Sequence, residues 1–214
     1  MHIEKNVCEN ILWTLLNVVE KTKDHPKARC DLQEMGIRKV LHPQQRANGK
    51  LFLPPACFTM NREHKDIFCK VLKDVKVPDG YSSNISRRIQ VKERTISGLK
   101  SHDCHILMQQ LLPLAMGRAL PKNVCETLIE LCIFFRQLCS KVLNPNDLGQ
   151  LEAQIKLTLC HLEKIFPPSF FDIMVHLPIH LAEEVRIAGP VIYRWMYPVE
   201  RYILTLVLKL VYNI

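Results

Sequence analysis

From Gly98 onward the chain is cut by prolines at a spacing that leaves room for helices and for little else. Pro113, Pro121, Pro145, Pro167-Pro168, Pro178, Pro190 and Pro198 divide the second half, and between them apolar residues recur at helical rather than alternating intervals. Lys122 to Leu143 runs through Leu128, Ile129, Leu131, Ile133, Phe134, Phe135 and Leu138, behind a Pro121 placed where a first-turn proline belongs. Asn144-Pro145-Asn146-Asp147 reads as a stop followed by a cap, and Leu148 to Phe166 as the next amphipathic helix. Phe170 to Val185 resumes helical spacing through Pro178, and Gly189-Pro190 separates it from a last segment, Val191 to Tyr212. Leu99 to Met116 is helical with an interruption at Pro113. The prediction is a mostly α chain with a helical bundle in its C-terminal half.

The first half reads differently. Ile3 to Glu20 has helical period through Val7, Ile11, Leu12, Leu15, Leu16 and Val19. Lys21 to Lys50 is basic and polar, with one short helix expected. Leu51-Phe52-Leu53-Pro54-Pro55 is at best an edge strand. Asn61 caps a predicted helix to Lys73, and Val77 to Thr95 reads as a basic loop. The segments are thus 1–50, a helix over 3–20 with a basic linker; 51–97, a loop-rich basic connector with at most one or two short strands; and 98–214, the helical region. Residues 1–100 hold 19 basic and 11 acidic side chains, whereas residues 101–214 hold 10 of each, so the whole net charge of +8 lies in front. Such a distribution suits a polyanion, DNA being the commonest, and equally a solvated basic surface.

With only 7 Gly the chain carries no GxxxxGK[ST], GxGxxG, GxSxG or HExxH, which excludes the common phosphate-loop, dinucleotide, hydrolase-elbow and metalloprotease signatures. No small-molecule substrate is indicated. Its 9 cysteines are odd in number and none forms CxxC, and Met1 to Lys5 is charged where a secretion signal would be apolar. Free thiols in a reducing, nuclear or cytoplasmic setting are expected. Cys125, Cys132 and Cys139, seven apart, fall on one helical stripe as small buried residues. Ile203 to Ile214 is too short to span a bilayer and contains Lys209, so no membrane partner is expected.

Three polar clusters lie in apolar surroundings. In Ser101-His102-Asp103-Cys104-His105, Asp103 is read as a helix cap, and His102 with His105 are too few to hold a metal. His176 and His180, at i and i+4 among Met174, Val175, Leu177, Ile179 and Leu181, fit half a zinc site or two separately bonded buried histidines. A small zinc enzyme would require His102, His105, His176 and His180 to converge. Glu200, in an aromatic and basic run from Tyr193 to Tyr202, pairs with Arg201 or Arg194 on a local reading.

Met1-His2-Ile3-Glu4-Lys5-Asn6-Val7 resembles a segment late in the transposase region of plant CACTA (En/Spm-type) elements, and Ala28-Arg29-Cys30-Asp31-Leu32 with Met35-Gly36-Ile37-Arg38 resembles the stretch that follows it. Leu99 to His105, Leu120 to Val124 and Tyr193 to Pro198 are similar to the uncharacterised domain C-terminal to that region. The resemblance covers the chain to about Tyr202; the tail from Ile203 to Leu210 departs from it. It implies a remnant of a ribonuclease H-like transposase, in which two Asp and one Glu hold magnesium or manganese for strand transfer. By similarity to the catalytic subunit of the V(D)J recombinase, His176 and His180 would be half of a zinc site, and Glu200, 20 residues beyond His180, the catalytic acid. The resemblance starts within the family motif, so the two Asp and a CxxC are expected upstream of this chain. The expectation is a transposon-derived fragment that is no enzyme by itself, binds no metal as it stands, contacts DNA non-specifically through residues 21–100, and has other transposase subunits as further partners. The alternative is a helical protein-interaction module docking through Phe134, Phe135, Phe166, Phe170 and Phe171.

Overall fold

The computed structural model describes residues 2–75 and 85–196, together with 199, 202, 203, 206 and 207. The architecture is mostly helical, with two small two-stranded antiparallel sheets. Helix α1 (His2–Leu15) stops earlier than its apolar pattern. Asn17 adopts a left-handed conformation (φ 52°), the Val18 amide donates back to the Trp13 carbonyl and the Asn17 amide to the Thr14 carbonyl, and Val19 is left exposed. That reversal satisfies orphan carbonyls of the last turn, and it outweighs the helical period that continues to Glu20.

Helix α2 (Pro26–Glu34) is the short helix expected in the basic stretch. Its N-cap is His25, whose Nδ1 accepts from the Ala28 amide at 3.2 Å. Strands β1 (Gln44–Gln45) and β2 (Leu51–Phe52) pair across an exposed turn. Helix α3 (Arg62–Asp74) starts as expected at Asn61, whose Oδ1 accepts from the His64 amide at 2.7 Å.

The expected loop from Val77 is corrected in part. Residues 76–84 lie outside the described residues, but Ile85–Arg88 form a 3-10 turn, and β3 (Ile89–Gln90) pairs with β4 (Thr95–Ile96). Ile85, Ile89 and Ile96 are buried against the core, and Arg94 ties the hairpin to Asp66 on α3. Two-residue strands are too short to leave an alternating pattern in sequence.

Helices α4 (Ser101–Ile106) and α5 (Leu112–Met116) are joined through one π turn, Leu107–Leu111, in which the Leu112 amide reaches the Leu107 carbonyl. Pro113 is the cause: it has no N–H for the Gln109 carbonyl, and its ring crowds that carbonyl, so the preceding turn widens instead of breaking. Helices α6 (Lys122–Leu138) and α7 (Leu148–Ile165) pack on each other across the Asn144 turn; α8 (Ile173–His176) and α9 (Pro178–Ala188) follow, and α9 lies on α7.

A single buried cluster runs from Val7 to Val185, and α1 packs on α4 and α8, so the first helix is enclosed by the second half of the chain. Phe58 stacks on Phe166 (ring centroids 4.7 Å apart), which stacks on Phe170 (4.2 Å). Phe134, Phe135, Phe166 and Phe170 are buried and Phe171 is half-buried. The aromatic stripe is therefore core, and a partner helix has no access to it. Cys125 and Cys132 are buried and Cys139 half-buried on one stripe, as their spacing predicts.

Candidate functional site

The π turn aims two side chains at the start of α1. His105 sits at the end of α4 and Gln109 within the π turn, and both reach Glu4, which is 2% exposed. His105 Nδ1 lies 2.9 Å from Glu4 Oε2 and 3.1 Å from Oε1. Gln109 Nε2 lies 3.0 Å from Glu4 Oε1, 3.0 Å from His105 Nδ1 and 3.3 Å from the Phe135 carbonyl. Cys139, which ends α6, completes the group: one donor atom each from Glu4, His105 and Cys139 falls within 4.8 Å of the other two, and among the described residues this is the one such trio of His, Cys, Asp or Glu.

Burial, followed by the charge of Glu4, pushes the Cys139 thiol up to about 12 against a small opposing effect of Gln109. Trp195 packs edge-on against the His105 ring with centroids 4.7 Å apart, and its indole N–H is buried without a hydrogen-bond partner among the described residues.

Asp103 is a cap, as its position predicts: its Oδ2 accepts from the Lys100 amide at 2.9 Å. His102 and His105 rings stack 6.0 Å apart, but the four histidines of the zinc-enzyme reading do not converge on one point. His176 and His180 do stand together, with ring centroids 5.3 Å apart. Both are exposed, not buried as their neighbours suggest, and Pro178 between them starts a new helix. Two imidazoles fill two corners of a tetrahedral zinc site, and no third His, Cys, Asp or Glu joins them among the described residues, so the pair alone does not fit a structural zinc ion. Glu200 lies outside the described residues.

The basic side chains of the first half divide into two sets. Six are used internally: Lys23 on Asp172 (2.9 Å), Arg29 on Asp24 and the Leu41 carbonyl, Arg38 on the last carbonyls of α7, Lys65 on the Leu16 carbonyl, Lys73 on the Ser86 carbonyl and Arg94 on Asp66. Others stand exposed on the two hairpins: Arg46 and Lys50 beside β1 and β2, and Arg87, Arg88 and Lys92 beside β3 and β4. None of these five makes an ion pair among the described residues. Arg46 is held over the Phe52 ring at 4.3 Å.

A groove of about 790 Å³ between the end of α6 and the start of α7 is lined by Ile133, Gln137, Leu143 and Leu151 together with the charged Glu130, Arg136 and Asp147. No described helix is long and apolar enough to cross a membrane.

Sequence reasoning named His105 and overlooked Glu4, Gln109 and Cys139. The i, i+4 spacing of His105 and Gln109 just before Pro113 was the available signal; Glu4, 101 residues away from His105, offered none. A family model described as a domain of unknown function (DUF4218) matches residues 138–213, a stretch that begins at the end of α6 and includes His176 and His180. No curated protein and no solved structure matches the chain.

Proposed function

We propose that this chain is the helical part of a CACTA-type transposase that holds DNA without cutting it, with residues 21–100 as the DNA-facing side. The observation that carries the reading is the set of exposed cations on the two hairpins, Arg46, Lys50, Arg87, Arg88 and Lys92, which no acid of the described residues neutralises. Cations that folding leaves unpaired repel one another, and a phosphate backbone relieves that repulsion while releasing its own counterions. The strings shared with CACTA elements support the family, and the domain of unknown function over residues 138–213 lies within the region that the resemblance assigns to an uncharacterised domain.

The absence of cutting rests on chemistry. Strand transfer by two metals roughly 3.5–4 Å apart needs several converging carboxylates, and the one trio of metal-capable side chains among the described residues contains a single acid, Glu4. The test is binding of the purified chain to duplex DNA over a salt series. Affinity should fall with salt on a log–log plot with a slope of about −0.9 per phosphate contacted. A flat response removes the DNA reading. DNA cleavage supported by magnesium or manganese and abolished by Glu200→Ala would remove the non-catalytic one.

A further inference from the structure

The trio of Glu4, His105 and Cys139 at the start of α1 is hard to account for as a hydrogen-bond network. Glu4 Oε1, His105 Nδ1 and the Phe135 carbonyl all converge on Gln109 Nε2, within 3.0 to 3.3 Å. An amide nitrogen has two hydrogens, so three neighbours with lone pairs oversubscribe it.

His105 sharpens the conflict, because its Nδ1 is also 2.9 Å from Glu4 Oε2. With the carboxylate ionised, a proton on Nδ1 serves Glu4 but sets one donor against another at Gln109. A bare Nδ1 accepts from Gln109 but sets its lone pair against the carboxylate. Turning the Gln109 amide over only exchanges the conflict, since its oxygen would then face Glu4 Oε1 and the Phe135 carbonyl. What all these groups share is a lone pair directed at one place, the arrangement that a cation completes.

The geometry points to a zinc site built from Glu4, His105 and Cys139, with Gln109 swinging aside or turning its oxygen inward to take the fourth position. The donor set decides the metal: one thiolate and one imidazole with oxygen ligands suit zinc and not magnesium or calcium. Tetrahedral zinc with bonds of about 2.0–2.3 Å sets its ligand atoms roughly 3.3–3.7 Å apart. The trio already lies within 4.8 Å, so closure asks for about an ångström of side-chain movement.

The positions favour a structural role. Glu4 is on α1, His105 ends α4 and Cys139 ends α6, so one ion would pin the first helix to two elements of the second half. Binding displaces the Cys139 thiol proton, so uptake weakens as pH falls. This site is separate from the His176–His180 pair and does not depend on the DNA reading.

The experiment uses the full chain, freed of metal, reduced, and given zinc or cobalt alone. One zinc per chain should survive passage through a weak chelator, and cobalt should show a sulfur-to-metal charge-transfer absorption. In a Trp13→Phe background, zinc should change the emission of Trp195, which touches the His105 ring. Cys139→Ser and His105→Ala should weaken zinc binding by at least about tenfold. Cys160→Ser, at an exposed thiol, and the double change His176→Ala with His180→Ala should leave it intact. Folded wild-type chain that retains no zinc, or cobalt binding without the sulfur band, overturns the proposal whatever the variants do. So does a cobalt band that persists in Cys139→Ser or vanishes in the His176/His180 variant.

Discussion

Arg29 and Arg38, between α1 and β1, and Arg46, Lys50, Arg87, Arg88 and Lys92 on the two hairpins are the same kind of side chain put to opposite uses. Arg29 is 1% exposed; its Nε and one terminal nitrogen clasp the Asp24 carboxylate and the other terminal nitrogen donates to the Leu41 carbonyl at 3.1 Å. Arg38, in a left-handed conformation (φ 49°), reaches across the molecule to the Glu163, Ile165 and Phe166 carbonyls at the end of α7. There the guanidinium satisfies orphan carbonyls and faces the negative end of the helix dipole. The hairpin cations Arg46, Lys50, Arg87, Arg88 and Lys92 have no such acceptors among charged groups of the described residues. The difference teaches that net charge of +8 is a poor guide to a binding surface until the cations consumed by folding are subtracted.

If the division is right, the inner set governs stability and the outer set governs binding. Arg29→Ala is expected to have the largest effect, about 3–5 kcal/mol, because it strands a part-buried Asp24 and opens a cavity; denaturant unfolding measures it. Arg38→Ala should cost about 1.5–3 kcal/mol by leaving the α7 carbonyls without a charged donor, with hydrogen exchange rising first in the last turn of α7.

Asp172 supplies a third, pH-dependent case. Its Oδ1 caps α8 through the Met174 and Val175 amides, and its Oδ2 takes bonds from Lys23 and Asn10. Burial alone would raise this carboxyl, but Lys23, Asn10 and the Val175 amide together hold it below the ordinary aspartate value. A depressed value means the carboxylate contributes stability above an unfolded pKa of about 3.9 and loses it as pH falls through the lower folded value. Asp172→Ala should therefore cost about 1 kcal/mol at neutral pH and flatten the acid arm of the stability curve below about pH 4. The smallest stability effect belongs to the hairpins: changing Arg46 and Lys50 to Gln should shift unfolding by less than about 0.5 kcal/mol.

How much of this was legible in sequence follows from how local each signal is. The Asn61 cap, the start of α6, the α7 span and the stripe from Cys125 to Cys139 rest on neighbours within a turn or two and read off directly, whereas α6 stops at Leu138, short of the expected Leu143. The end of α1 did not, because a left-handed Asn17 overrode a periodic pattern. Nor did the β3–β4 hairpin, whose strands are two residues long. The candidate site was half legible: the spacing of His176 and His180 predicts that their rings meet, but not that both stand exposed. Glu4 meeting His105 and Arg38 meeting α7 join residues 101 and more than 120 positions apart, which no local pattern encodes.

The central claim is that the outer cations, and not the inner ones, face DNA. The most direct measurement is the salt dependence of duplex binding for wild type and for a variant with Arg46, Lys50, Arg87, Arg88 and Lys92 changed to Gln. The account predicts an unchanged fold, weaker binding and a slope shallower by about 0.9 for each phosphate contact removed. A folded variant with the affinity and slope of wild type would contradict it.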